Sequence, residues 1–168
     1  AFEHEVALER RALTFFDLWG GTGTPRDIAD NERKVDLLMM TTNVTLGRPH
    51  RIPFDADDFF AFYFDPAEFA KVFPAGIVAQ MVTASRPAPC RAWPNLRTFP
   101  KAWDLPVVVA ARMSMSFPLL FSAIPIYVKD KVRNDTRTRP VVRCLLSDGG
   151  LTSNMPLHFF DGPYPRWP

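Results

Sequence analysis

Hydrophobic positions recur at helical spacing in some stretches of this chain and as near-continuous runs in others, with proline and glycine marking the changes. Between residues 3 and 19, Leu8, Ala12, Phe15, Phe16 and Trp19 fall at helical intervals, while Glu9, Arg10 and Arg11 lie elsewhere around the turn. Gly20, Gly21, Gly23 and Pro25 then stop the helix and make a connector; the lysine-serine/threonine pair of a phosphate-cradling loop is absent. Residues 35–45 predict a largely buried strand, and Leu46-Gly47-Arg48-Pro49 turns it back as a hairpin. Residues 55–64 open with Asp55, Asp57 and Asp58 and continue as an aromatic run. They read as a short helix capped by aspartates, because the glycine and final glutamate of a calcium loop are missing.

Asp65-Pro66-Ala67-Glu68 is a helix start: Asp65 can accept from free N–H groups, Pro66 suits the first turn, and Glu68 occupies the capping-box position. Phe69, Val72 and Phe73 then share one face, and residues 75–84 make another short helix. A proline-punctuated loop follows over 86–100, then a helix from Asp104-Leu105-Pro106 to Ser116 in which Arg112 is the only internal charge. Phe117-Pro118 ends that helix, since the residue before proline avoids helical angles. Residues 124–128 predict a strand, 129–139 a charged turn, and 140–147 a last apolar strand cut short at Asp148-Gly149-Gly150. Because Gly-Gly permits backbone angles closed to other residues, Asp148 is placed where a strand ends and a turn begins. In α/β proteins that edge carries the chemistry, so Asp148 is the candidate functional carboxylate.

Composition narrows the class. At 168 residues, with 47% hydrophobic and 13% aromatic content, the chain suits one globular domain or part of one. Seventeen prolines imply many loops, and 15 phenylalanines imply a bulky core or an apolar binding surface; the aromatic residues of 54–73 read as core, with the lining of an apolar ligand site as the other reading. A net charge of +2 gives no support to a nucleic-acid partner. Cys90 and Cys144 have neither zinc nor redox spacing, and Cys144, inside an apolar run, reads as a buried free thiol. No window reaches the ~18 apolar residues of a membrane helix. The opening Ala1-Phe2-Glu3 has neither an initiator methionine nor a signal-peptide layout, and the chain reads as a fragment whose compartment stays open.

Two motifs, taken in order, resemble a known family. Ala110-Ala111-Arg112-Met113-Ser114-Met115-Ser116-Phe117-Pro118, then a strand, then Ser147-Asp148-Gly149-Gly150 with Asn154 and Pro156 beyond, is similar to the second half of the patatin-like phospholipase domain. Residues 39–47 also resemble that family's strand and turn, so the resemblance spans 33–161, with 1–32 as a helical lead-in and connector. It implies an incomplete portion of a three-layer α/β/α domain with a central mixed sheet, helices covering both faces. It further implies a lipid acyl hydrolase with a serine-aspartate dyad and no cofactor or metal. In such a dyad Asp148 is the general base toward the serine hydroxyl, Gly149 and Gly150 shape its turn, and Asn154 fixes the loop beyond. The family's G-x-S-x-G nucleophile elbow is missing from this sequence, so the nucleophile is expected upstream and the chain alone is expected to be inactive. The implied partners are a lipid ester substrate, the remainder of the catalytic domain and a peripheral membrane surface. A non-catalytic lipid-binding or regulatory relative is the alternative. A Ser147-Asp148-His158 triad is disfavoured because neighbouring strand residues point to opposite faces.

Overall fold

In a computed structural model of the chain, residues 11–22, 28, 32–54, 60–117, 120–130 and 140–151 are described. Its centre is a six-stranded sheet made of β1 (Met39–Asn43), β2 (Arg48–Ile52), β3 (Phe60–Phe64), β4 (Arg97–Thr98), β5 (Ile124–Asp130) and β6 (Val142–Asp148). The spatial order is β2-β1-β6-β5-β3-β4, every neighbouring pair is antiparallel, and the sheet curls into a half-barrel. Among the described residues there are four short helices, α1 (Phe15–Leu18), α2 (Pro66–Phe69), α3 (Ala75–Thr83) and α4 (Val107–Ser114), of 4 to 9 residues.

This corrects the expected three-layer α/β/α domain with a mixed sheet. Parallel pairing needs crossover connections that carry the chain back across the sheet. Here β1 and β2 are joined by a tight turn at Gly47, whose φ of 63° is left-handed, and the other strands also meet antiparallel. The edge argument for Asp148 falls too, because each end of an antiparallel sheet carries strand starts as well as strand ends.

The strand residues alternate between two coverings. Ile52, Phe62, Phe64, Ile124, Ile126, Val128, Cys144 and Leu146 face a core completed by Phe15 of α1, Phe69 of α2, Val78 and Met81 of α3, and Val109, Ala110 and Met113 of α4. Tyr63 and Tyr127 point to the other face, where Leu96 packs on them. Because β3 is covered on both faces, its run is apolar throughout and its period of two is hidden. That is why 55–64 read as an aromatic helix; residues 60–64 are instead a strand between β5 and β4, and Asp55, Asp57 and Asp58 lie outside the described residues. The aromatic stretch is core, with Phe64 and Phe69 fully buried and Phe54 stacked on Phe62 at 3.9 Å between ring centres.

Several local expectations hold in detail. Asp65 accepts from the Ala67 N–H at 2.8 Å and Pro66 opens α2. Glu68, expected to reach back as a capping-box partner, instead receives Arg143 at 2.8 and 3.1 Å and the Tyr127 hydroxyl at 3.2 Å. Cys144 is a buried free thiol whose pKa is raised by desolvation. Of the helix expected over 3–19, residues 3–10 lie outside the described residues, and within 11–19 the helical segment is α1, which begins after Thr14, whose N–H and hydroxyl both donate to Asp17 at 2.8 Å. Thr14 also bridges to Pro106, which seats α1 beside the start of α4.

Candidate functional site

Asp148 is the last residue of β6, opposite Thr41 of β1. Its surroundings follow from a mismatch in strand length. The ladder between β5 and β6 begins at the Ile124–Leu146 pair, so Ser147 and Asp148 extend beyond the end of β5. The chain that leaves α4 fills this position: the Ser116 carbonyl accepts the Asp148 N–H at 3.1 Å and the Ser147 hydroxyl at 2.8 Å. On the opposite side the Thr41 hydroxyl lies 2.9 Å from the Ser147 carbonyl and 3.0 Å from the Met113 carbonyl. Thr41, Ser116 and Ser147 are all buried, so these bonds exchange little with water and hold the end of β6 from both flanks.

Beyond Asp148 the chain turns through a 3-10 segment, Gly149–Leu151. Asp148 Oδ1 accepts the Gly150 N–H at 2.7 Å, which fixes the carboxylate against its own turn. A Cβ at position 149 would stand 2.5 Å from the Met40 carbonyl oxygen and 2.8 Å from its carbon, so close approach to β1 requires glycine there. Asp148 is half-buried, and among the described residues no donor reaches its Oδ2. Gly149 and Gly150 therefore occupy the turn assigned to them, whereas Asn154, Pro156 and His158 lie outside the described residues.

Arg112, marked in the sequence as the only charge inside its helix but given no role there, contacts the segment that bonds Asp148. Arg112, in the last turn of α4, donates to Ser116 Oγ at 2.6 Å and to the Ser122 carbonyl at 2.9 Å, and its guanidinium lies 5.0 Å from the centre of the Phe121 ring. Ser116 Oγ in turn donates to the Arg112 carbonyl at 2.7 Å. The signal was present in the sequence as a single charge inside an otherwise apolar helix. Ser116 and Ser147 direct their hydroxyls to backbone carbonyls, and among the described residues no serine hydroxyl or cysteine thiol is hydrogen-bonded to the Asp148 carboxylate.

Large apolar side chains stand exposed on the segments that flank Asp148. They are Met115 (61%), Phe117 (50%), Leu120 (74%) and Phe121 (50%) after α4, and Leu151 (50%) after the glycine pair. An ordinary surface scatters such residues singly, so their concentration on two adjoining segments marks an apolar rim. A recess lies elsewhere: about 700 Å³ is bounded by Arg11, Thr14, Gln80, Thr83 and Asp104. Its polar groups are already engaged, Gln80 with both backbone groups of Ala12 and Arg11 with Asp17. Burial raises the pKa of the remaining carboxylate there, Asp104, but no second acid or nucleophile accompanies it among the residues that line the recess.

Compared with known proteins, the chain is 33% identical over 193 residues to a protein called RpoH suppressor from Rhizobium meliloti (strain 1021). The match takes in 93% of this chain and 30% of that protein, so the chain spans under a third of its relative's length. No family model matches the chain, and no solved structure matches it. The patatin-like resemblance is corrected accordingly. The first motif begins in α4 and the second runs from the end of β6 into a 3-10 turn, the sheet beside them is antiparallel throughout, and the chain's similarity runs to a protein named as a suppressor, not as a phospholipase.

Proposed function

We propose that this chain contributes the general base of a lipid-ester hydrolase, with Asp148 as that base and a serine nucleophile supplied by residues beyond the chain. The observation that supports this reading is the state of the Asp148 carboxylate. One oxygen is anchored by the Gly150 N–H at 2.7 Å, the backbone on both sides is clamped, and the residue is half-exposed beside an apolar rim. In the reaction, the serine hydroxyl oxygen attacks the ester carbonyl carbon while Asp148 Oδ2 takes the hydroxyl proton. The proton then passes to the departing alkoxide, and water releases the acyl group by the same steps with water as nucleophile. The chain's own part is to orient the carboxylate and to offer the apolar rim to the acyl chain.

The test is Asp148→Asn in the full-length protein, which keeps the shape and the Oδ1 acceptor while abolishing basicity. Hydrolysis of p-nitrophenyl butyrate and of phosphatidylcholine vesicles should fall by about 10² to 10⁴, the usual worth of a positioned general base. The far-ultraviolet circular dichroism should not change. Hydrolysis within twofold of wild type would remove Asp148 from the reaction and overturn the proposal.

The exposed rim favours a second reading, a non-catalytic module that docks on lipid. The surface proposed for it is formed by Met115, Phe117, Leu120, Phe121 and Leu151 and not by the 54–73 stretch, whose Phe62, Phe64, Phe69 and Phe73 are buried. Vesicle sedimentation of the Leu120→Ser, Phe121→Ser double variant should then show loss of binding while Asp148→Asn binds as wild type. Equal sedimentation of the double variant and wild type would exclude this reading.

A further inference from the structure

The lone charge of α4 governs the candidate base although it never touches it. We propose that Arg112 is the positioning residue for Asp148: its guanidinium fixes the Ser116 carbonyl on which both the Asp148 N–H and the Ser147 hydroxyl depend. The inference rests on the reading of Asp148 as a general base for its functional meaning, but its geometry stands by itself.

β5 starts only at Ile124, opposite Leu146, so the end of β6 lacks a strand neighbour on that side and takes Ser116 instead. Residue 116 is outside regular structure, one residue past the cap of α4 at Met115, and nothing in a helix or a ladder sets where its carbonyl points. What sets it is Arg112. One guanidinium nitrogen reaches Ser116 Oγ at 2.6 Å, and Ser116 Oγ returns to the Arg112 carbonyl at 2.7 Å, so the residue is bound through its side chain in both directions. The other nitrogen reaches the Ser122 carbonyl at 2.9 Å, tying down the far end of the same segment. The plane of the guanidinium also lies near Phe121, one of the exposed side chains of the rim. A single planar fork thus sets the backbone beside the base and the apolar wall next to it.

Two acceptors at fixed separation and an aromatic ring suit a guanidinium and not an ammonium, because lysine offers a point charge without the rigid fork. Lysine can satisfy Ser116 or Ser122 but does not hold them at a set spacing. The consequence is local: loosening the fork frees the Ser116 carbonyl and lets the Asp148 N–H open, while the β5–β6 ladder stays closed.

The experiment is Arg112→Lys in the full-length protein, followed by amide hydrogen exchange resolved to single residues and by steady-state hydrolysis of p-nitrophenyl butyrate. The Asp148 amide should exchange roughly tenfold faster or more, as expected for loss of a charge-assisted hydrogen bond, while the Leu146 amide within the ladder keeps its wild-type rate. kcat should fall at least tenfold, since the base is displaced. Unchanged exchange at Asp148, or equal acceleration at Asp148 and Leu146, would overturn the proposal. If Arg112→Lys does not accumulate in folded form, Ser116→Ala removes the acceptor and leaves the arginine; selective opening of the Asp148 amide should follow, and its absence overturns the proposal equally. The exchange measurement needs no turnover: if Asp148→Asn leaves hydrolysis intact while Arg112→Lys still opens the Asp148 amide, the general-base reading fails and the positioning role survives.

Discussion

Replacing Gly149 by alanine asks how tightly the Asp148 turn is seated on β1. The added Cβ would lie 2.5 Å from the Met40 carbonyl oxygen, 2.8 Å from the carbonyl carbon and 2.9 Å from the Met40 Cβ. Two of these three atoms are backbone, so no side chain can rotate aside; either the turn lifts or β1 moves. Overpacking of this sort costs about 1 to 3 kcal/mol, and a backbone obstacle places it in the upper half of that range. Against this stands a gain of about 0.4 to 1 kcal/mol, because alanine stiffens the unfolded chain. No further strain applies, since the described glycines with positive φ are Gly20 and Gly47 and not Gly149. The net is a loss of about 1 to 2.6 kcal/mol, which for a protein of this size lowers Tm by roughly 2 to 10 °C. Gly76 is the internal control: it sits in α3 with nothing within 4 Å of its would-be Cβ, so Gly76→Ala should raise stability by about 0.5 to 1 kcal/mol. Both are read by thermal and urea unfolding monitored by circular dichroism. A Gly149→Ala protein that melts at or above the wild-type temperature would refute the argument that the turn rests on the β1 backbone.

Other outcomes follow from burial and charge. Burial works to raise the Asp17 pKa, but its fork with Arg11 at 2.7 Å and the Thr14 N–H and hydroxyl outweigh this and lower it from 3.8 to about 2. The stabilisation is therefore present above about pH 4 and lost as pH falls toward 2; Asp17→Asn should remove about 1 kcal/mol at pH 7 and flatten the acid limb of the stability curve. Desolvation, and then the charge of Arg48, lowers the His50 pKa below 6.5, so the unfolded chain takes up the proton first as pH falls. Stability should decline below about pH 6.5, and His50→Leu should abolish that slope in urea titrations. Phe69→Ala empties a fully buried site and should cost about 3 to 5 kcal/mol, whereas Leu120→Ser, at 74% exposure, should stay within about 0.5 kcal/mol in the same assay.

What was legible in the sequence was local. The Gly47 turn announced the β1–β2 hairpin, Asp65 and Pro66 announced α2, and the proline-bounded apolar runs announced α3, α4, β5 and β6 within a few residues. Strand partners were not legible, because pairing joins residues about a hundred apart, such as Thr41 and Asp148. β3 was misread since strands covered on both faces lose their alternation. The candidate carboxylate was found by the Gly-Gly that follows it, but the argument that sheet edges gather catalytic residues assumed parallel strands. The coupling of Arg112 to Asp148 passes through a backbone carbonyl, and carbonyls leave no mark in a sequence. A charge inside an apolar helix was the visible trace of it.

The strand order carries a consequence for how the molecule is assembled. β6 comes latest of the six strands along the chain yet lies third across the sheet, between β1 and β5. Until it is in place, β2-β1 and β5-β3-β4 are separate ribbons with no ladder between them. Each would show an open edge through which strangers can pair. The strand that ends in Asp148 thus acts as a keystone inserted after the arch is raised. During synthesis, the completed sheet and the seated carboxylate arrive in a single event, so a molecule interrupted before residue 142 has neither, and has two edges with which to aggregate.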